Sequence, residues 1–435
     1  MKSARNIYKE EVDFTALALQ SPDFAKYVKQ NGQLDFSNPS AVRQLTISLL
    51  QRDFRLKVDL PEDRLCPPVP NRLNYILWLQ DLIDTTGNNY SDQYDPNRDV
   101  VGLDIGTGCC CIYPLLGCAS RPRWKFVATD IDDKNIQFAQ NNVSKNGLES
   151  RISVIKTEPS APLIPLDTRI SLERLDFTMC NPPFYESQEE MVASAEAKAR
   201  PPFSACTGAE VEMVTSGGEI AFVSRMIEES LQLRNRVQWY TSMLGKLSSV
   251  SVIVEKLIER KNNNYAVTEF VQGTKTRRWA VAWSWGDLRP TTDVARGISG
   301  FPKHLLPFPS EFSFHIPNAS IDAVGHRIDA ELRSLPVKWE WHPAMATGAG
   351  FAMENVWSRQ ARRKRQLQQK GDADAEKEQQ TNESSAALGF KIQLRQKAVG
   401  KDVEVLIRWL KGTDSVLFES FCGMLKRKVD ESLRN

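Results

Sequence analysis

Asn181-Pro182-Pro183-Phe184 is the stretch whose residue types and spacing carry the clearest chemistry. An asparagine side chain offers one oxygen that accepts and an NH2 that donates. Pro182 and Pro183 restrict φ and have no N–H to give to a ladder. Each proline also pushes the residue before it toward extended backbone. The result is a stiff turn that presents its carbonyls and one amide outward, with the flat ring of Phe184 beside it. Such a turn can hold a planar group bearing an amino group, such as a nucleobase edge. Taken alone, the same four residues fit an ordinary Pro-Pro turn over a buried ring.

The elements that position this turn are legible around it. Asp176 to Cys180 reads as a buried strand that ends on Asn181. Val100 to Asp104 is a second strand, followed by the glycine turn Ile105-Gly106-Thr107-Gly108 and a helix of small residues running into Leu116. A strand, a Gly-x-Gly turn and a helix together let backbone approach a ligand closely, although the third glycine of the dinucleotide fingerprint is missing. Lys125 to Asp130 is the next strand, and its terminal acid stands where an acid commonly binds ribose hydroxyls. Asp133 to Lys145 is a helix and Ile152 to Lys156 a third strand. This alternation predicts a doubly wound parallel α/β sheet with ligands outside the carboxyl ends of the strands. Asp104, Asp130 and Asn181 all close strands, so all three are expected to face one crevice.

Further along, residues 185–218 show little periodicity and carry Lys198 and Arg200; a loop of that length is usually functional or disordered. Glu219 to Arg236 reads as a helix and Val250 to Lys256 as a strand. Tyr265 to Gln272 and Arg278 to Trp285 form a terminal hairpin with Lys275, Arg277 and Arg278 at its turn. Before the sheet, residues 1–80 mix short helical patterns, among them Pro39 to Phe54, with a stiff proline connector. Arg72 to Leu79 then opens an amphipathic helix. Arg5, Lys9, Lys26, Lys29, Arg43, Arg52, Arg55 and Lys57 could line a phosphate-facing surface or simply a solvated one. Residues 286–310 are rich in Pro and Gly and read as a linker. Residues 311–435 read as a small α+β domain: strands at 311–316, 337–341, 390–396 and 403–409, and helices at 321–335 and 415–432. A charged, low-complexity insert over 358–387 is expected to be disordered.

The chain has 435 residues, room for two or three domains, and is 41% hydrophobic and 25% charged. A net charge of only +2 requires any nucleic-acid footprint to be a local patch. No apolar run is long enough to span a bilayer, and the first twenty residues lack a signal core. The eight cysteines, including the run Cys109-Cys110-Cys111, show no paired Cys-x-x-Cys spacing. Reduced, buried thiols in an intracellular protein are expected, with neither metal nor disulfide framework.

At these motifs the chain resembles the U6 small nuclear RNA adenine-N6 methyltransferase family (methyltransferase-like sixteen). The resemblance rests on Arg72 to Ile76, Asp104 to Gly108, Ile112 to Gly117, Asn181 to Phe184, Gly217-Gly218-Glu219 and Trp239-Tyr240. It continues through Met243 to Lys246, Thr268 to Phe270 and Arg278 to Ala280, in family order over residues 1–285. It implies a Rossmann-like class I S-adenosylmethionine-dependent methyltransferase core (81–285), an N-terminal helical RNA-binding extension (1–80) and a C-terminal α+β domain of RNA-binding type. Arg72, Gly106, Cys110, Asp130 and Asn181 match family cofactor contacts by position. Asp104 and Gly108 belong to the same strand-end turn. Cys110 stands where a hydroxyl residue is familiar and Asp130 where Glu is familiar, which implies re-tuned cofactor binding.

The resemblance further implies that Asn181, Pro182, Pro183 and Phe184 act on the amino group of an adenine in structured RNA, with U6 small nuclear RNA the expected substrate. Lys198, Arg200, Lys246, Lys275, Arg277 and Arg278 are the expected RNA contacts. An Asn-Pro-Pro-aromatic turn also serves methylation of a protein glutamine amide and of a ribosomal RNA base, and an RNA-binding module without turnover is a further reading. Arg362-Arg363-Lys364-Arg365 suggests residence in the nucleus.

Overall fold

The computed structural model describes residues 5–191, 208–272, 276–361, 363, 383–396 and 402–431. It divides into two compact units. The first holds the residues up to Asp84, Gln93–Gly286 and Arg296–Pro307; the second holds Thr85–Asp92, Asp287–Ala295 and the chain from Phe308 onward.

The first unit opens with four helices: α1 (Phe14–Gln20), α2 (Pro22–Ala25), α3 (Pro39–Phe54) and α4 (Val69–Asp84). The start of α3 follows from sequence: Asn38 accepts from Ser40 N and Ala41 N, and Pro39 takes the first helical position. Helix α4 was expected to be amphipathic, yet thirteen of its residues are buried, Arg72 among them. Then follow β1 (Val100–Ile105), α5 (Ile112–Ser120), β2 (Trp124–Asp130), α6 (Asp133–Lys145), β3 (Ile152–Lys156) and β4 (Leu175–Cys180). The unit continues through α7 (Glu210–Met213), α8 (Gly218–Leu233), β5 (Val237–Leu244), α9 (Leu247–Glu259), β6 (Tyr265–Gln272), β7 (Thr276–Trp283) and the short β8 (Arg296–Gly297).

These strands form one sheet in the order β3-β2-β1-β4-β5-β7-β6-β8. The first five are parallel, and β7 returns antiparallel to β5. Strand order reverses between β1 and β4, and an open α/β sheet binds its ligand outside the strand ends at such a switch point. The expected strand over Val250 to Lys256 is instead the middle of α9, and the strand there is β5. The run is rich in β-branched residues, which suit strands. However, Val250, Ile253, Val254 and Leu257 recur at helical spacing and are buried together, so packing decides the element.

Residues 286–310, expected as a linker, instead fold into the two units. Phe301 and Leu305 are buried in the core of the first. In the second, Trp409 N donates to Ser310 O and Arg289 Nε to Gly412 O.

The second unit begins with the one-turn helix α10 (Thr292–Ala295) and continues with β9 (Glu311–Ile316), α11 (Ile321–Arg333), β10 (Lys338–His342), β11 (Thr347–Ala352), β12 (Leu388–Gln396), β13 (Val403–Lys411) and α12 (Ser415–Glu431). Its antiparallel sheet runs β10-β11-β12-β13-β9. Val324, Ile328, Phe418 and Phe421 share a core with Phe390, Ile392, Val405 and Ile407. Strand β11, Thr-Gly-Ala-Gly-Phe-Ala, was not anticipated because it has no alternation to read. Of the expected disordered insert, residues 362 and 364–382 lie outside the described residues, so only Arg363 of the basic tetrad is described, and it is exposed.

Candidate active site

The glycine turn after β1 is built by backbone pairing with β2. Gly106 N and Thr107 N both donate to Thr129 O at 2.9 Å, and Gly108 N donates to Asp130 Oδ2 at 2.9 Å. Gly106 and Gly108 sit at φ 72° and 65°, a region that glycine enters at little cost. A Cβ on Gly106 would meet nothing within 4 Å, so the turn borders open space. That space is a cavity of about 460 Å³, lined by Arg72, Gly106, Gly108, Cys110, Asp130, Asn181, Pro182 and Pro183 among others. Seven residues expected to hold the cofactor are Arg72, Asp104, Gly106, Gly108, Cys110, Asp130 and Asn181, and six of them are on this wall.

Asp104 is the exception. It is fully buried and is not on the wall. Burial pushes its carboxyl up to about 7; Thr107 and Arg72 pull it down without cancelling that, and Asp130 adds to the rise. Asp130 is nine-tenths buried. Desolvation raises its pKa, and the donors Asp132 N and Gly108 N oppose the rise. Arg72 is 7% exposed, stands 5.6 Å from the Tyr113 ring centroid, and donates to Met243 Sδ. Among the described residues it makes no ion pair with a carboxylate, and it lines the cavity. Burial lifts the Cys109 thiol to about 12 and Cys110 well above its ordinary value, so these thiols stay protonated and pack. All seven cysteines among the described residues are free.

Asn181 leaves β4 at the switch point, and its side-chain Oδ1 is buried without a hydrogen-bond partner among the described residues. A buried amide oxygen without a donor carries a cost, which a ligand N–H would remove. Pro182 and Pro183 continue the wall, while Phe184 lies beyond it. The Arg278 guanidinium is 5.5 Å from the Phe184 ring centroid, so cation and ring form one surface.

The resemblance implies a cofactor contribution from the loop between β3 and Asn181 but assigns no residue in it, and several other parts of the wall carry no sequence signal. Glu158, Pro159, Ala161 and Pro162 line the cavity. They are held from α8: Arg225 donates to Pro159 O and Ala161 O, and Glu229 accepts from Leu163 N and Ile164 N. On the opposite side Glu212 accepts from Leu65 N and Ala209 N. The segment after α7 pairs with the residue that follows Phe184, as Tyr185 N donates to Met213 O and Thr215 N to Tyr185 O. Apart from the Ala209–Glu212 bond, these contacts join positions far apart in sequence and leave no local pattern.

The expected RNA contacts divide. Lys198, Arg200 and Lys275 lie outside the described residues. Lys246 pairs with Glu190 at 3.1 Å, and Arg277 with Glu269 at 3.4 Å. In the N-terminal extension Arg5, Lys26, Lys29, Arg43 and Arg52 each pair with an acid, so much of the expected basic face is neutralised locally. Among the described residues no group of three or more His, Cys, Asp or Glu could hold a metal ion, and no helix is long and apolar enough to cross a membrane.

A family model described as RNA methyltransferase matches residues 2–287. The chain belongs to this RNA methyltransferase family. The methyltransferase is 36% identical over 403 residues to the U6 small nuclear RNA (adenine-(43)-N(6))-methyltransferase of Schizosaccharomyces pombe, covering 93% of this chain and 97% of that one. It is 45% identical over 291 residues to human RNA N(6)-adenosine-methyltransferase METTL16, covering 65% of this chain and 50% of the human protein. The chain thus spans nearly all of the yeast relative and about half of the human one. Two solved structures resemble the methyltransferase core. The human METTL16 catalytic domain in complex with a MAT2A 3′UTR hairpin is 41% identical at a TM-score of 0.58, covering 65% of this chain and 94% of that one. The human N-terminal domain in complex with SAH is 40% identical at 0.54, covering 65% and 98%.

Proposed function

We propose that this chain is an S-adenosyl-L-methionine-dependent RNA (adenine-N6) methyltransferase that acts on structured RNA, with U6 small nuclear RNA as its substrate. The observation that carries the reading is the Asn181 side-chain oxygen, buried at the switch point with no hydrogen-bond partner among the described residues, beside a cavity of cofactor size. S-adenosyl-L-methionine supplies the methyl group when bound. The residues present fit it. The Gly106–Gly108 turn leaves room for close approach, Asp130 offers a carboxylate for ribose hydroxyls, and Arg72 offers a buried cation. Aliphatic residues and prolines make up much of the rest of the wall.

The adenine amino nitrogen is a poor nucleophile because its lone pair is delocalised into the ring. The Asn181 side-chain oxygen and the Pro182 carbonyl accept its two N–H bonds, which favours a more tetrahedral nitrogen and aims its lone pair along the line of transfer. Holding the two reacting centres in line supplies on the order of 7–11 kcal/mol of barrier in favourable systems. Phe184 stacks on the base, a contact of about 1–3 kcal/mol. A paired adenine must first leave its stack. Methyl incorporation into a U6-type hairpin, read as N6-methyladenosine, tests the reading. Incorporation into protein amides or ribosomal RNA bases instead would overturn it.

We also propose nuclear residence, supported by the basic run at 362–365. Neutralising its four charges and still finding wholly nuclear protein would remove that run from the account.

A further inference from the structure

Glu219 closes the run Gly217-Gly218-Glu219, and the chemistry above makes no use of it. Its side chain is almost fully buried, at 3% exposure. Gly217 and Gly218 take φ of 72° and 61°. A Cβ on Gly218 would lie 3.4 Å from the Phe184 carbonyl oxygen and 3.0 Å from Glu186 Cγ, so this turn runs directly along the backbone of the Asn-Pro-Pro-Phe segment. It delivers the Glu219 carboxylate to the end of β5, where Oε2 accepts from Gly245 N at 2.6 Å and Oε1 from Lys246 N at 3.2 Å.

Gly245 lies against the Phe184 ring. A Cβ there would be 2.9 Å from Phe184 Cδ1 and 3.3 Å from Glu219 Oε2, closer than side-chain carbons normally approach. Arg278 also contacts the ring, at 5.5 Å from its centroid. Burial pushes the Arg278 guanidinium down and Arg72 pushes it further, while Glu219 acts in the opposite sense. One buried carboxylate therefore touches the Phe184 ring's surroundings twice: by hydrogen bonds through Gly245, and by charge through Arg278.

We propose that Glu219 is a positioning residue for methyl transfer: by pinning the Gly245-Lys246 turn it fixes the plane of the Phe184 ring, and Gly245 is required because a side chain there would occupy the ring's place. The inference rests on the reading of Phe184 as the platform for the target adenine. A carboxylate that only stabilised the turn would not be coupled to that ring.

The test uses the full chain and four variants: Glu219→Gln, Gly245→Ala, Phe184→Ala and the double variant Phe184→Ala/Glu219→Gln. Three quantities are read: kcat and KM on a U6-type hairpin, cofactor affinity by calorimetry, and fluorescence quenching of 2-aminopurine placed at the target adenine. Glutamine keeps one acceptor and turns an NH2 toward the other amide. Glu219→Gln should lower kcat on the order of tenfold, because small misplacements in a reacting pair carry such penalties. Cofactor affinity should stay unchanged and 2-aminopurine quenching should weaken. Gly245→Ala should do the same with the carboxylate still present, which covers the case in which Glu219→Gln fails to fold. The double variant should be no slower than Phe184→Ala, since residues acting through one ring are not additive.

Additive losses in the double variant would overturn the positioning role. So would wild-type kcat in Glu219→Gln and Gly245→Ala alongside an impaired Phe184→Ala; the platform reading would then stand. Wild-type kcat and quenching in Phe184→Ala would remove the platform reading and the inference with it.

Discussion

Asn181 carries the heaviest single role, and its replacement separates chemistry from binding. Asn181→Ala removes one acceptor for one amino group, whereas RNA affinity comes mainly from phosphate contacts spread over a surface. Turnover on a hairpin RNA should fall at least a hundredfold, about the loss seen when one preorganised polar partner is removed elsewhere. RNA affinity by filter binding should hold. Asp130→Ala should act on the other ligand: without the acceptor for the ribose hydroxyls, calorimetric cofactor affinity should drop roughly tenfold, the worth of one charged hydrogen bond. Asp104 sets a pH dependence. In the unfolded chain its carboxyl titrates near 3.8, and in the folded one near 7. Between these values the folded state keeps a proton that the unfolded chain has shed. Stability should therefore fall as pH rises through that window. Thermal melting of the ligand-free protein should show this slope, and Asp104→Asn should flatten it. The residues that announce themselves in sequence are those at strand ends, where Asp130 and Asn181 follow apolar runs and glycines mark a turn. Glu219 and Arg225 do not, because each acts on backbone far away in the chain and an exposed acid or base looks the same in sequence.

The parallel half of the sheet was readable because apolar runs, glycine turns and helix caps agree with one another there. Asp132 caps α6 by accepting from Asn135 N at 2.9 Å, and the helix begins where the sequence places it. The rest of the sheet was only partly readable. The β6–β7 hairpin shows in its alternation, whereas the parallel strand β5 was not marked, and the β-branched run of α9 reads as a strand until its helical spacing and burial are taken together. Gly102 shows how tightly β1 is packed at the centre. A Cβ there would lie 2.3 Å from Phe177 Cζ, and Phe177 itself packs between Trp124 at 5.2 Å and Phe126 at 5.7 Å between ring centroids. The ring of a neighbouring strand thus occupies the place of a side chain. Gly102→Ala should destabilise the first unit by about 1–3 kcal/mol, the usual cost of overpacking a core. Urea unfolding checks it, with a lowered midpoint at unchanged slope as the expected result. Because β1 carries the Gly106 turn, cofactor affinity should decline with it.

At the scale of the whole molecule, sequence composition located the second unit but misplaced its border. Pro and Gly made residues 286–310 look like a spacer, whereas Phe301 and Leu305 complete the core of the first unit. A catalytic fragment ending at Trp285 would lose those side chains and should be unstable for that reason alone. A fragment ending at Pro307 keeps them. The second unit offers Lys391 and Arg395 on β12, although Lys391 is paired with Asp92 at 3.3 Å. We propose that this unit is a second RNA contact. Two sites on one RNA raise overall affinity without altering the chemistry at either. Ending the chain at Pro307 should therefore weaken hairpin binding while leaving kcat at saturating RNA close to that of the full chain. The salt dependence should change with it, because each phosphate contact removed lowers the slope of log affinity against log salt by about 0.7–0.9. The measurement is a salt titration of RNA affinity for both chains under matched conditions. Equal affinities and equal slopes would make the second unit a protein-binding or dimerisation module instead. A shallower slope with retained kcat would place catalysis in the first unit and part of the RNA grip in the second.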